Sequence, residues 1–180
     1  MSQQMLQQQP SARSEVMEWA KLLIGAILLA LVLRSFVFTF VIVDGPSMQD
    51  LLYTDDFMLV SRLHYSLGTP QRGDVAMCHF PGSEANYVKR VIGLPGETIE
   101  CRDKVTYING QPLAEPYLTR ENSWDFGPID IPEGQYFMLG DNRLDSHDSR
   151  RVGPLPKDML VGRAMFVIWP LNRVHMLPNQ

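Results

Sequence analysis

The chain has 180 residues, 45% of them hydrophobic, which is enough for one domain with its own core plus an extension. Its net charge of -4 argues against a nucleic-acid-binding protein, which would carry a basic patch. Its two cysteines, Cys78 and Cys101, do not have zinc-site spacing. They read either as a disulfide formed outside the cytosol or as two separate small core residues.

Residues 1–16 are rich in Gln and Ser and are expected to be a disordered tail. Leu22 to Leu33 is an unbroken apolar run of 12 residues, short for a membrane span on its own. Taken over residues 17–36 it has 20 residues, about 30 Å of helix at ~1.5 Å per residue. That length crosses a bilayer if Lys21 and Arg34 reach for the headgroups, and Trp19 suits an interface. A cleaved signal peptide is the competing reading, but no small-x-small site follows Leu33. A buried helix of a soluble protein is a third. Arg13 and Lys21 precede the run, so the positive-inside rule favours a cytoplasmic N-terminus and an extracytoplasmic domain.

Residues 37–180 read as β-rich. A strand is expected from Phe36 to Val43, followed by "DFMLVSR", "GDVAMCHF", "NYVKRVIG", "VTYING", "QYFMLG" and "AMFVIWP". These are short apolar or alternating runs bounded by Gly and Pro. Asn109-Gly110 after "VTYI" is a hairpin signal. No long amphipathic helix is evident. The expected fold is mainly β: an antiparallel, partly closed β domain behind one N-terminal transmembrane helix. Residues 115–132, "EPYLTRENSWDFGPIDIP", lack periodicity and are expected to be a surface excursion.

Three stretches carry candidate chemistry. In "YVKRVIG", strand alternation puts Tyr87, Lys89 and Val91 on one face and Val88, Arg90 and Ile92 on the other. Each face therefore holds one cation, and unpaired cations are rarely buried. Lys89 reads either as an edge-strand lysine that discourages aggregation or as a buried base whose charged form burial disfavours. In "VDGPSMQDLL", Ser47 follows Gly45-Pro46 among apolar residues. It reads as a turn residue, an N-cap or a nucleophile; no glycine completes a G-x-S-x-G elbow. None of the four histidines, His64, His79, His147 and His175, has a spacing that points to Ser47. In "GDNRLDSHDSR", carboxylates interleaved with arginines do not fit a calcium loop. They fit a polar scaffold braced by its own ion pairs.

Together and in this order these stretches resemble the type I signal peptidases, the membrane-anchored Ser-Lys endopeptidases. "GDNRLDSHDSR" is close to that family's G-D-N-R-x-x-S-x-D-S-R signature and "YVKRVIGLPGE" to its lysine box, while "GPSM" and "RGDVAMCHFP" match its serine and Gly-Asp boxes. The short chain and single anchor are similar to the Gram-positive members. The resemblance implies that Ser47 is the nucleophile and Lys89 its neutral general base. It implies supporting roles for Ser146, which would hydrogen-bond the lysine, for an Asp148–Arg150 ion pair, and for Asp141, Asn142 and Arg143. The Ser47 backbone N–H would be the oxyanion donor; the hydroxyl that some relatives carry two residues earlier is here Gly45. Val41, Val43, Met48, Leu52, Tyr87 and Val88 would line pockets for small substrate residues. The partners implied are signal peptides of exported preproteins and a phospholipid membrane. No cofactor, metal or nucleic acid is implied, and a monomer is expected. A non-catalytic substrate-binding relative, or a specialised Ser-Lys peptidase of pilus or conjugation type, is the alternative. One departure stands out: the serine box usually continues S-M-x-P-T-L, and here Asp50 and Leu51 replace Pro and Thr. A carboxylate at Asp50 would weaken Lys89 as a base if the two approached.

Overall fold

The structure, a computed structural model, describes residues 12–32, 36–119 and 124–178. The chain divides into two compact units, Met1–Val37 and Phe38–Gln180.

The first unit holds helix α1, Ala12–Val32, whose start lies inside the stretch expected to be disordered. Its apolar side chains, among them Leu22, Leu23, Ile24 and Leu28, are exposed. Among the described residues no helix is long and apolar enough to cross a membrane. Glu15, Glu18 and Lys21 lie ahead of the apolar run, and residues 33–35 of the expected span lie outside the described residues.

The second unit is built from antiparallel strands. In chain order they are β1 Phe38–Ile42, β2 Phe57–Ser61, β3 Val75–Cys78 and β4 Tyr87–Gly93, then β5 Thr98–Arg102, β6 Val105–Ile108, β7 Gln111–Pro112 and β8 Phe126–Asp130. The remainder are β9 Gln135–Leu139, β10 Leu155–Pro156, β11 Leu160–Trp169 and β12 His175–Met176, with short helices α2 Leu63–Leu67 and α3 Ser149–Val152. The larger sheet runs β1-β2-β11-β3-β4-β9-β10, with β12 beside β11, and the smaller runs β7-β6-β5-β8. The mainly β, antiparallel expectation therefore holds.

Side-chain period sets which residues face inward. Val41 pairs with Met58, and Met58 with Val167, in one buried row. Phe40, Leu59 and Phe166 form the adjacent row on the other face, with Phe40 and Phe166 exposed. The first core cluster gathers Val41, Val43, Met48, Leu52, Met58 and Val88 on one side of β4. A second gathers Cys78, Phe80, Val91 and Met138 on the other side. A third, around Ile92, Ile99 and Phe137, joins β4 and β9 to the smaller sheet.

One expectation changes here. The described part of residues 115–132 is only partly a surface excursion: Trp124, Gly127 and Pro128 are exposed, but β8 pairs with β5, Ile99 opposite Ile129, and Glu115 is largely enclosed. The strand signal was masked by Gly127-Pro128 in its middle. Gly127 has φ +83°, and a Cβ there would sit 2.7 Å from the Ile99 carbonyl oxygen, so only glycine fits. The two cysteines are free and buried, Cys78 in the larger sheet and Cys101 in the smaller. The β6–β7 hairpin turns as expected at Asn109 and Gly110, with φ of 50° and 76°.

Candidate active site

Ser47 sits on the excursion that joins β1 to β2. The hairpin ladder extends one step past β1: Val43 N–H donates to Asp56 O and Asp55 N–H to Val43 O, both at 2.9 Å. The chain then leaves the sheet through Gly45, whose φ of +94° favours glycine. After Ser47 it coils into a turn closed by Gln49 N–H to Pro46 O at 3.0 Å and Leu52 N–H to Met48 O at 2.9 Å. Met48 and Leu52 plug the core beneath this turn, so the half-buried Ser47 above them has a fixed base. Arg173, near the C-terminus, holds the far end of the excursion by two 2.8 Å bonds to the Asp56 carboxylate. Among the described residues the Ser47 N–H has no hydrogen-bond acceptor.

Lys89 comes from the middle of β4, paired with Ala76 of β3. It is 2% exposed. Its Nζ lies 2.8 Å from Ser47 Oγ and 3.0 Å from the Val88 carbonyl oxygen. Among the described residues no carboxylate pairs with it. Burial draws its pKa below the ordinary lysine value, against weaker opposing pulls from Cys78, Asp148 and Asp141. Burial also pushes the neighbouring Cys78 thiol up to about 12, so this thiol stays uncharged and cannot hold an ammonium at neutral pH. A serine hydroxyl in contact with a lysine biased toward its neutral form is an arrangement that can act as nucleophile and base.

The residues of the third stretch converge behind this pair. Arg90, fully buried on the opposite face of β4, makes a bidentate pair with Asp141 at 2.8 and 2.6 Å and donates to Gly73 O at 2.9 Å. The Asn142 N–H donates to Ser47 O at 3.1 Å, and its Nδ2 donates to Pro46 O at 3.2 Å. The Arg143 guanidinium binds Gly140 O, Thr106 and the Glu115 carboxylate. Asp148 and Arg150 form a buried bidentate pair at 2.8 Å, and Asp148 also accepts from Gly140 N–H at 3.1 Å. Burial opposes the Asp148 charge, yet the Arg150 guanidinium wins and holds the carboxyl below its usual range. Ser146 differs from expectation. Its Oγ is buried with no hydrogen-bond partner among the described residues, rather than bonded to Lys89, although it lies near enough to favour the Asp148 carboxylate. Gly140 is where these parts meet: a Cβ there would fall 2.3 Å from Ser146 Oγ and 2.4 Å from Ser47 O.

A cleft of about 230 Å³ opens beside Ser47 and Lys89. Val41, Val43, Met48, Tyr87 and Val88 line it. Leu52 does not; it is fully buried under the nucleophile turn. The walls come from β1 and β4, which three other strands separate in the sheet order, so the sheet curls to bring them together. Asp50 hydrogen-bonds Thr119, and it is not among the charges that act on Lys89. Sequence reasoning missed Glu115 and Tyr117, the latter stacked 4.0 Å from the Arg90 guanidinium, and also Asn86 and His147 in the cleft wall. An acid and an aromatic two positions apart in an aperiodic segment were the available signal. His64, His79 and His175 bond Arg163, Ala85 O and Arg173 O respectively. Among the described residues no cluster of His, Cys, Asp and Glu could hold a metal ion.

Comparison with known proteins identifies a family. A family described as "Signal peptidase, peptidase S26" matches residues 16–169. The chain is 40% identical to signal peptidase I T of Bacillus subtilis over 169 residues, 88% of each chain. It is 36% identical to a signal peptidase I of Leptolyngbya laminosa, covering 92% of this chain and 86% of that one. A crystal structure of a signal peptidase I from Enterococcus faecalis is 38% identical, with a TM-score of 0.49, covering 53% of this chain and 96% of that one.

Proposed function

The chain belongs to the signal peptidase family, peptidase S26, and from that premise we propose that it is a membrane-bound endopeptidase that removes signal peptides from exported preproteins through a Ser47–Lys89 dyad. The 2.8 Å contact between Ser47 Oγ and a lysine that is 2% exposed carries this reading. Neutral Lys89 takes the Ser47 proton as Oγ attacks the scissile carbonyl. The lysine then gives that proton to the departing amine, and the acyl-enzyme remains. Lys89 next draws a proton from water, whose oxygen attacks the ester and frees Ser47. The unengaged Ser47 N–H is an oxyanion donor without a side-chain helper at Gly45.

The substrate binds in extended form along the cleft, adding a strand beside the enzyme by β-augmentation. β1 is a sheet edge and its Val41 lines the cleft, which supports this mode. The cleft is small and its aliphatic wall of Val41, Val43 and Val88 suits small side chains first and third before the cut. The exposed apolar side chains of α1, from Leu22 to Val32, support a retained anchor at residues 17–36, with the N-terminus cytoplasmic and the β domain outside. Tethering would raise the local concentration of membrane-held substrate.

The test is cleavage of a preprotein bearing an Ala-x-Ala site by purified full-length chain in detergent and phospholipid, with N-terminal sequencing of the product. Cutting at that site by wild type and none by Lys89→Ala is the expected result. No cutting by folded wild type over several preproteins would overturn it.

A further inference from the structure

Residues 115–119 contribute nothing to the cleft, yet they touch three parts of the site. Glu115 binds the guanidinium of Arg143, a side chain with 0% exposure, and Tyr117 Oη donates to Glu115 Oε1 at 2.7 Å. The Tyr117 ring stacks on Arg90, which holds Asp141. Thr119 hydrogen-bonds Asp50 on the nucleophile turn. The buried charges behind the dyad therefore balance as three pairs: Arg90 with Asp141, Arg143 with Glu115, and Arg150 with Asp148. Remove Glu115 and Arg143 is left to compete for Asp141, whose field already reaches it. Asp141 and Arg143 flank Asn142, which grips the carbonyls of Pro46 and Ser47.

We propose that residues 115–119 form a strap from the smaller sheet in which Glu115 and Tyr117 are positioning residues: they press the Asn142 turn onto the Ser47 carbonyl and so set the nucleophile against Lys89. The inference rests on the Ser47–Lys89 reading above. Asp50, which departs from the family's usual proline, is on this view the strap's second attachment rather than a perturber of the base.

Glu115→Gln keeps the shape and removes the charge. Its kcat on the Ala-x-Ala preprotein is expected to fall roughly 10- to 100-fold, with KM moving by no more than about threefold. Glu115→Asp is expected to restore most of that loss. Combined with Asn142→Ala, the losses should fall short of multiplying, because both act on one contact. Thr119→Ala changes an exposed residue, and should lower kcat about two- to fivefold at unchanged Tm. A readout independent of turnover accompanies these. Exchange of the Asn142 amide, bonded to Ser47 O, should quicken at least about tenfold in Glu115→Gln, while amides of β3 and β9 keep their protection. Failure of wild type to cleave would sink the peptidase reading alone, since the exchange result still decides the strap. Unchanged kcat together with an unchanged Asn142 amide would overturn the strap. So would a general loosening in which β3, β9, KM and kcat all shift together.

Discussion

Lys89 and Arg90 are adjacent in β4, both are buried cations, and the protein treats them oppositely. The Arg90 face supplies a bidentate carboxylate, a backbone carbonyl and an aromatic ring, so the guanidinium keeps its charge and becomes a strut. The Lys89 face supplies a serine hydroxyl, one carbonyl, an uncharged thiol and the Tyr87 ring at 5.7 Å, but among the described residues no carboxylate to pair with an ammonium. Two neighbouring basic side chains are thus set apart, one ion-paired and one biased toward its neutral form, because their partners differ. The residue types fit these roles: guanidinium cannot lose its proton in a protein, whereas an ammonium can.

The contrast can be broken most sharply at the base. Lys89→Arg restores a permanent charge and Ser47→Ala removes the proposed nucleophile. Each is expected to cut preprotein cleavage by about a thousandfold or more, read as initial rates. Stability should separate the two cations next. Arg90→Met strands the buried Asp141 carboxylate and is expected to cost roughly 3–5 kcal/mol in urea unfolding. Lys89→Met leaves no partner stranded and should gain about 1 kcal/mol while abolishing activity.

The pH dependence follows from the depressed Lys89 value. Cleavage should rise with pH along a limb centred below 10.5, the ordinary lysine value. For stability the sign is fixed by proton counts. Between the folded value and 10.5 the unfolded chain binds the extra proton. The cost of burying Lys89 is therefore complete below the folded value and fades as pH rises toward 10.5, and Lys89→Met should flatten that slope in melts across alkaline pH. The smallest effect is expected of Asp50→Asn. Because Asp50 faces Thr119 and not Lys89, the midpoint of the rate–pH limb should not move.

Much of this was legible in the chain. The alternation of "YVKRVIG" put a cation on each face of one strand, and both faces proved buried. The Ser and Lys stretches were visible as unusual residues in apolar settings, and the polar loop at 140–150 is only in part its own scaffold: Asp148 and Arg150 pair within it, whereas Asp141 and Arg143 pair with Arg90 and Glu115 outside it. β5 was missed because Thr98, Glu100 and Arg102 outnumber its two inward residues, Ile99 and Cys101. β8 was missed because Gly127-Pro128 interrupts a strand that closes on a bulge. Glu115 was read as a surface acid because its partner, Arg143, is 28 residues away and only the closed fold brings them together.

The sequence by itself determined the strand faces, the residue types able to act as nucleophile and base, and the family. These depend on local periodicity and on motifs that are contiguous in the chain. Tertiary structure alone decided that Ser47 meets Lys89 across 42 positions, that Ser146 does not bond the lysine, and that Asp50 turns to Thr119. It also decided which cation is paired and which is not. Desolvation and charge pairing depend on what lies across a few ångströms of space, and that is set by how the sheet curls.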